Sequence, residues 1–245
     1  QRLMMKVFKI SVGILMVLAV TTSVSNGQIY FKDNFDNPKE SAKKWHALYG
    51  DWQFKNKEYH QLKLEPNCMS VISDEYWDET WDNYTYQVKG NVIKGAEGFL
   101  IMFRCRGLMQ ARGKALEKPP ARMKNQKSSL EYWWNLGGWG NTRSKVESWG
   151  GIGGADSKDK ITYGDSYDIK IVNTPKSYTL ILNDKEVASV KDDTQDGVGR
   201  VGLATWSTAA KYDEVIVYGP DGPKLVSSRE KVSTTWAEIK SKLKQ

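Results

Sequence analysis

The sequence predicts an all-β protein built as a two-sheet antiparallel sandwich. Short apolar or alternating runs are separated by Gly, Asn, Asp and Pro through most of the chain, which is typical of strands joined by tight turns. The runs 167–173 (YDIKIVN) and 177–182 (SYTLIL) alternate, and the following Asn183-Asp184 is a hairpin signal. No long helical period interrupts this pattern before the C-terminal tail. Many short strands at hairpin spacing favour a sandwich.

The predicted strands share β-branched or aromatic content and are bounded by turn residues. In chain order they are 29–35, 51–55, 58–63, 68–73, 83–92, 97–104, 129–135, 145–149, 167–173, 177–182, 186–190, 199–206 and 213–218.

The N-terminus has the layout of a secretory signal peptide. A basic lead is followed by a mostly apolar run over 10–20 and then by the small polar stretch TTSVSNG. The run is shorter than the roughly 20 residues that span a bilayer, so we predict a signal peptide over 1–27, with a retained anchor as the alternative. The domain is then 28–220, and the expected location is secreted, periplasmic or at the cell surface, with no transmembrane segment in the mature chain.

Positive charge is concentrated in two places. The formal net charge is +7, and residues 104–127 carry eight Lys/Arg against one Glu, while 221–245 carries six against three. The basic character thus describes an inserted loop, 105–128, and a tail rather than the whole surface, which argues against nucleic acid as a partner. We interpret the loop as a solvated insertion, with contact to an acidic glycan or a lipid headgroup as the alternative.

The tail, 221–245, is predicted to be a linker followed by a short amphipathic helix. Ser227 and Glu230 fit a capping box at the start of that helix. Apolar residues then recur at i, i+4, i+7 and i+11 as one stripe: Val232, Trp236, Ile239 and Leu243. The helix either docks on the sandwich or, like the basic loop, binds a protein partner.

The two cysteines, Cys68 and Cys105, both fall in predicted strands. Outside the cytoplasm such a pair can oxidise, so a disulfide and two free thiols both stay open. Two lone cysteines do not make a structural zinc site, which takes four ligands.

The stretch EYWWNLGGWGN over 131–141 combines aromatic surface with turn-forming glycines. Strand alternation places one set of its side chains (Glu131, Trp133 and Asn135) on one face and Tyr132 and Trp134 on the other. One face enters the core, while the other, together with Trp139 and Asn141 on the Gly137-Gly138 loop, suits a saccharide. Aromatic rings stack on the C–H face of a sugar, and planar polar groups bind its hydroxyls. The alternative is that all these aromatics are core.

The order of landmarks resembles a known family. DNFDN, GDWQFKNKEYHQ, EGFLIMFR, EYWWNLGGWGN, GDSYDIKIV, YTLILNDKEV and GRVGLATW occur in sequence over about 30–219. The chain is therefore similar to the concanavalin A-like lectin/glucanase superfamily, in its laminin-G-like branch. Members of that branch include the 3-keto-disaccharide hydrolase domain and the domain attached to some bacterial α-L-arabinofuranosidases, to which YWWNLGGWGNT is most similar. The resemblance implies a jelly-roll sandwich.

The resemblance also implies where a ligand binds. Relatives of this fold hold ligands on the concave sheet, where Arg104 would lie near the aromatic strand and Trp206 would form a further wall. The expected ligand-binding residues are therefore Arg104, Glu131, Trp133, Asn135, Trp139, Asn141 and Trp206. Sandwiches of this type often hold a structural Ca²⁺, for which Asp33, Asp36 and Asp213 are oxygen ligands of the right kind. No other cofactor is expected.

These observations favour a secreted, non-catalytic, lectin-like domain that binds plant- or microbe-derived polysaccharide or oligosaccharide. The first alternative is a glycoside hydrolase of the same superfamily, with Glu131 as its acid. No second carboxylate of the EIDIE type accompanies it, although a glycosidase needs two. HExxH, GxSxG and phosphate-loop motifs are absent from the sequence as well. The second alternative is an extracellular protein-interaction domain.

Overall fold

A computed structural model describes residues 27–107 and 130–223, which form two antiparallel sheets packed face to face. The predicted all-β sandwich is thus confirmed. The first sheet has eight strands, in the order β13 (Lys185–Lys191), β12 (Ser177–Leu182), β11 (Ser166–Thr174), β6 (Tyr84–Gly95), β15 (Thr208–Tyr218), β4 (Glu58–Gln61) and β3 (Trp52–Lys55), with β1 (Ile29–Asp33) paired to β15.

The second sheet has seven strands, in the order β10 (Gly154–Ser157), β9 (Arg143–Trp149), β8 (Leu130–Gly137), β7 (Phe99–Arg106), β14 (Arg200–Thr205), β5 (Cys68–Ile72) and β2 (Trp45–Tyr49). Two short helical segments are α1 (Pro38–Lys44), which is capped by Asn37, and α2 (Gly138–Asn141). A 3-10 turn, Asp74–Tyr76, follows β5.

All of the predicted strands are present, but the prediction missed several other features. β2, β10 and α1 were not predicted, and β15 begins at Thr208 rather than at 213. β2 and β10 are the two edge strands of the seven-stranded sheet. An edge strand has one neighbour and little burial, so its side chains need not alternate strongly between apolar and polar.

The core between the sheets is aromatic, and tyrosines of the eight-stranded sheet cross it. Tyr86 and Tyr212 donate through their hydroxyls to the carbonyl oxygens of Gly202 (3.2 Å) and Ala204 (3.0 Å) on β14. Each tyrosine thus fills the core with its ring and satisfies its hydroxyl on the far sheet. These contacts set β6 and β15 above β14, which fixes the stacking of the two sheets.

The two cysteines are free and buried, which resolves the disulfide question left open by the sequence. β14 lies between β5 and β7, pairing Thr205 with Cys68 and Arg200 with Cys105. The thiols are therefore two strand spacings apart, about 10 Å, and are also offset by five residues along β14. A disulfide requires Cα atoms within about 7 Å.

Three predictions fall largely outside the described residues: the signal peptide over 1–27, the basic loop over 105–128 and the C-terminal helix within 221–245. In the part of the chain that is described, no helix is long and apolar enough to cross a membrane.

Candidate functional site

Strand β8 separates its side chains between the core and the outer face of the seven-stranded sheet, the face turned away from the eight-stranded sheet. Tyr132 and Trp134 pack into the main core between the sheets. Trp133 belongs to a second apolar cluster on the outer face, and by alternation Glu131 and Asn135 share that face. The predicted division of EYWWN between two faces is therefore what the structure contains.

The second cluster is a continuous apolar surface, here called the outer patch. It crosses β5, β14, β7 and β8, and its members are Met69, Val71, Leu100, Met102, Cys105, Trp133 and Ala204. All of them are at most 2% exposed. At the β9 side, Trp149 packs against Trp133 with ring centroids 5.1 Å apart.

One end of the outer face carries two partly exposed tryptophans. Trp139 follows β8 and is 37% exposed, and Trp206 follows β14 and is 36% exposed. β7 lies between β8 and β14 and runs antiparallel to both, so its first residues lie at the same end. The two tryptophans thus flank a gap of two strand spacings, about 10 Å between backbones.

Glu97 occupies that gap, separated from the start of β7 by Gly98. Its Oε1 accepts a hydrogen bond from the backbone N–H of Gly140 (3.3 Å), while its own N–H donates to the Thr208 hydroxyl (3.0 Å). Trp139, Glu97 and Trp206 together are called the tryptophan rim below. The rim presents aromatic surface at both sides of a carboxylate, the combination that suits the faces and hydroxyls of a sugar.

Burial raises the pKa of the Glu97 carboxyl above its ordinary value. The backbone N–H groups of Gly140 and Trp139 oppose that rise, and the negative charge of Glu147 adds to it. A carboxyl with a raised pKa in a cleft is a recognised sign of a functional site. Glu97 therefore keeps its proton, and with it the ability to donate a hydrogen bond, to a higher pH than a free glutamate.

A groove of about 420 Å³ extends the rim along β9. Besides Trp139, it is lined by Lys145, Val146, Glu147, Ser148, Gly153 and Gly154. The guanidinium of Arg143 lies 4.1 Å from the centre of the Trp139 ring, so it covers one face of that ring as a cation–π contact. Asn135 donates through Nδ2 to Glu147 Oε2 at 3.4 Å.

The conformation of α2 explains the glycines in the sequence. Gly137, Trp139 and Gly140 all have positive φ (68°, 49° and 67°), a region in which glycine is favoured. A Cβ at Gly138 would come within 2.4 Å of Asn135 Oδ1. The backbone at Gly138 therefore approaches the Asn135 side chain closely, and a ligand is not needed to explain that glycine.

Asn141, which the sequence predicts as a ligand-binding residue, holds the backbone next to α2. Its Nδ2 donates to the Ile161 carbonyl (2.7 Å) and its Oδ1 accepts from the Ile161 N–H (2.8 Å). Both halves of the amide thus hold the segment that ends at Ile161 against α2. The side chain thus has a structural role beside Trp139.

Arg104 does not reach the outer face, which corrects its predicted position. A β-bulge separates the pairs Phe103–Tyr132 and Arg106–Leu130, and Arg104 lies within it at φ 50°. The bulge turns its side chain inward, where Nη1 donates to Asp192 (2.9 Å) and Nε to Asn173 (2.6 Å). Arg104 is fully buried and binds neither Glu131 nor a ligand in this arrangement.

Glu131 lies at the far end of the outer face from the rim. It is fully buried and has an interaction partner. Burial raises the pKa of the neighbouring Cys105 thiol, and the charge of Glu131 raises it further. The structure therefore keeps Glu131 apart from Trp139 and Trp206, so the seven predicted residues do not form one site.

The three aspartates predicted as calcium ligands do not converge. Asp33 is buried and accepts hydrogen bonds from Ser41 Oγ (2.9 Å) and Trp45 Nε1 (3.0 Å). Asp36 and Asp213 line a separate groove, where Lys57 pairs with Asp36 at 3.0 Å. Among residues 27–107 and 130–223, no three His, Cys, Asp or Glu side chains are grouped to hold a metal ion. Calcium binding stays a prediction.

The order and pairing of the strands define the class of fold, and the chain is a concanavalin A-like jelly-roll sandwich. The carbohydrate-binding module CBM66 from Bacillus subtilis has a similar structure, with a TM-score of 0.50 and 16% identity over 71% of this chain and 95% of that chain. A non-specific endo-β-1,3(4)-glucanase of family GH16 gives a TM-score of 0.54 with 10% identity, over 79% of this chain and 95% of that chain.

The sequence itself is similar to part of one enzyme. An extracellular exo-α-L-arabinofuranosidase from Streptomyces chartreusis is 29% identical over 178 residues. The match covers 71% of this chain and 18% of the enzyme, so the chain spans less than a fifth of its length. The predicted similarity to an arabinofuranosidase-associated domain is thereby supported. No family model matches the chain.

Sequence reasoning missed Glu97, Lys145 and Glu147. The strand signal for the last two was present, because alternation in RSKVESW places Arg143, Lys145, Glu147 and Trp149 on the face opposite the core residue Val146. Glu97 had no such signal. It lies in the turn before β7, and only the packing of Gly140 and Thr208 around it marks it.

Proposed function

We propose that this protein is a secreted, non-catalytic carbohydrate-binding domain that holds a plant- or microbe-derived oligosaccharide along the tryptophan rim. One observation carries the proposal: Trp139 and Trp206, each about one-third exposed, stand on either side of Glu97 at one end of the outer face. Large aromatic side chains exposed next to convergent polar groups are a recurrent feature of binding sites.

The geometry favours an oligosaccharide over a single sugar. The two tryptophans flank two strand spacings, about 10 Å, so one ring cannot stack on both. The groove beyond Trp139 continues the surface with Lys145 and Glu147, whose charged groups suit adjacent hydroxyls. A chain of sugars lying across β14, β7 and β8 would meet the aromatic rings first and the polar groove next.

The similar proteins support this proposal, which itself rests on the geometry of the rim. One structural neighbour is a carbohydrate-binding module, another is an endoglucanase, and the sequence relative is an extracellular arabinofuranosidase. An extracellular relative and the predicted signal peptide both favour secretion. Carbohydrate is thus the expected partner, and nucleic acid is not expected.

The test is a glycan array probed with the full chain and with Trp139→Ala and Trp206→Ala. Ile93→Ala is the matched control, since Ile93 is 41% exposed on β6 of the other sheet. Burying a large apolar side chain is worth about 1.5–3 kcal/mol, so affinity should fall roughly 10- to 100-fold in each tryptophan variant and stay unchanged in the control. Binding that survives both tryptophan variants would place the ligand elsewhere.

A glycoside hydrolase is the second candidate, and a specific pair of carboxylates favours it. Glu147 lines the groove beside Trp139. Glu97 accepts a hydrogen bond from Gly140, the residue after Trp139, so both carboxyls lie on the Trp139 side of the rim. Two interacting carboxyls in different environments are the arrangement that glycosidases use. Reducing sugar released by the wild type and abolished by both Glu97→Gln and Glu147→Gln would establish the enzyme. Binding of a saccharide without release of reducing sugar would instead support the non-catalytic carbohydrate-binding domain.

A further inference from the structure

The outer patch is buried although it lies on the outside of the sandwich. Its seven members are at most 2% exposed, yet the eight-stranded sheet covers only the opposite face. Among the described residues, the further apolar side chains that pack against the patch are Leu48 and Trp149, one near each margin. An antiparallel sheet of this kind normally leaves one face to water, so an apolar face needs a cover.

We propose that the segment 224–245 is that cover and lays the apolar stripe of its predicted helix across the outer patch. The stripe consists of Val232, Trp236, Ile239 and Leu243. A one-sided stripe cannot be stable in water by itself, because most helix stability in proteins comes from burying such a face. The patch and the stripe are therefore complementary in chemistry.

The two surfaces also agree in length. The stripe runs over eleven residue steps from Val232 to Leu243, about 16 Å of helix at 1.5 Å per residue. The patch crosses four neighbouring strands from β8 to β5, which is three spacings or about 14 Å. One short helix lying across the strands would therefore cover the patch from one margin to the other.

The chain leaves the sandwich at a suitable place. β15 stacks on β14 and runs antiparallel to it. Tyr212 of β15 contacts Ala204, whereas Val217, further along β15, is paired with Tyr86, which contacts Gly202. The end of β15 thus lies at the end of the sandwich where β14 begins, next to Arg200 and Cys105. Residues 219–222 form a turn in which the Gly222 N–H donates to the Gly219 carbonyl (3.1 Å). Stacked sheets are about 10 Å apart, and the four residues 223–226 can span about 13 Å, so the chain can pass around this end.

Composition favours the tail over the other long connection. Residues 104–127 carry eight Lys/Arg and one Glu, and their larger apolar residues beyond β7, which include no aromatic residue, are Leu108, Met109, Leu116 and Met123. The tail would also leave the tryptophan rim open, because Trp139 and Trp206 lie beyond the patch and remain about one-third exposed. The tail can thus cover the outer patch whichever ligand the rim binds.

The test uses the chain's own thiols as reporters in the full-length protein. Cys105 belongs to the outer patch, whereas Cys68 is buried outside it and serves as the internal control. Ile239→Asp would disrupt the stripe, and Ser241→Asp adds the same charge off the stripe. The labelling rate of Cys105 by a maleimide should rise at least about tenfold in Ile239→Asp and not in Ser241→Asp, with Cys68 unchanged in both.

Equal labelling of Cys105 in Ile239→Asp and in wild type, with an unchanged circular dichroism spectrum, would overturn the proposal. Labelling of Cys105 that slows with increasing protein concentration would overturn it too, because a second copy would then be the cover. If Ile239→Asp unfolds the protein, the maleimide labels Cys68 as well, and the variant Ile239→Ala then tests the proposal. That milder change should accelerate Cys105 selectively, by about threefold, and no selective change would count against the tail.

Discussion

Arg104 and Asp192 form a fully buried ion pair that joins the two sheets, with Arg104 Nη1 2.9 Å from Asp192 Oδ2 and neither side chain exposed. The guanidinium lies against the rings of Tyr132 and Tyr178, 5.0 and 5.5 Å from their centres. Tyr132 donates its hydroxyl to the same carboxylate. The extra hydrogen bonds offset the cost of desolvating this buried pair, which explains why Arg104 is a structural residue.

Replacing Asp192 by asparagine should destabilise the protein by about 3–5 kcal/mol, because Arg104 would keep its charge without a counterion. Asp193→Asn is the matched control, since Asp193 is 56% exposed and pairs with Lys191 at the surface. A surface pair contributes about 0–1 kcal/mol. Urea denaturation measures both, and equal midpoints for the two variants would contradict the assignment.

The Asp192 pair should also give stability a particular pH dependence. Burial tends to raise the pKa of Asp192, but hydrogen bonds from Thr194 and Tyr132 and the charge of Arg104 outweigh it and lower the pKa below its ordinary 3.8. A lowered pKa stabilises the fold above the unfolded value, and that contribution is lost as pH falls through the folded value.

We therefore expect the gap in unfolding free energy between wild type and Asp192→Asn to be constant above about pH 5 and to shrink below about pH 4. Denaturant titrations of both proteins from pH 7 to pH 3 measure it. A gap that stays constant down to pH 3 would mean that Asp192 is not the group that titrates.

Glu97→Gln should remove a pH dependence from saccharide binding. The raised pKa of Glu97 means that wild type loses a hydrogen-bond donor at the rim as pH rises above its ordinary 4.5. Glutamine cannot titrate, so the affinity of the variant should be flat across that window, whereas wild type should weaken. Isothermal titration with an oligosaccharide identified on the array measures both. Glu75→Gln, which alters an exposed acid beside β5, should retain the wild-type profile.

Both cysteines should be free thiols that react only when the protein unfolds. Burial blocks the access of reagents to Cys68 and Cys105. It also raises the pKa of both thiols, which lowers the fraction of reactive thiolate. Mass spectrometry after alkylation in denaturant should therefore find two modified cysteines without prior reduction, and almost none in the native protein. A mass two hydrogens lower with no alkylation would mean that the strands carry a disulfide after all.

The sequence by itself determined the sandwich and the division of β8 between two faces. Short alternating runs fix strands because side chains in a strand point alternately to opposite sides. That rule correctly separated Tyr132 and Trp134 from Trp133. The landmarks also identified the concanavalin A-like class, which the comparisons confirm.

Only the tertiary structure decided which of these residues share a site. A bulge turns the Arg104 side chain into the core, and the Asn141 side chain hydrogen-bonds to the backbone of Ile161. Glu131 is buried at the far end of the seven-stranded sheet. Trp139, Glu97 and Trp206 came together from positions 42 and 67 residues apart, because antiparallel strands bring distant chain segments to one end of a sheet. Alternation gives a residue's face, whereas its neighbours depend on strand order and register, which single-strand patterns do not encode.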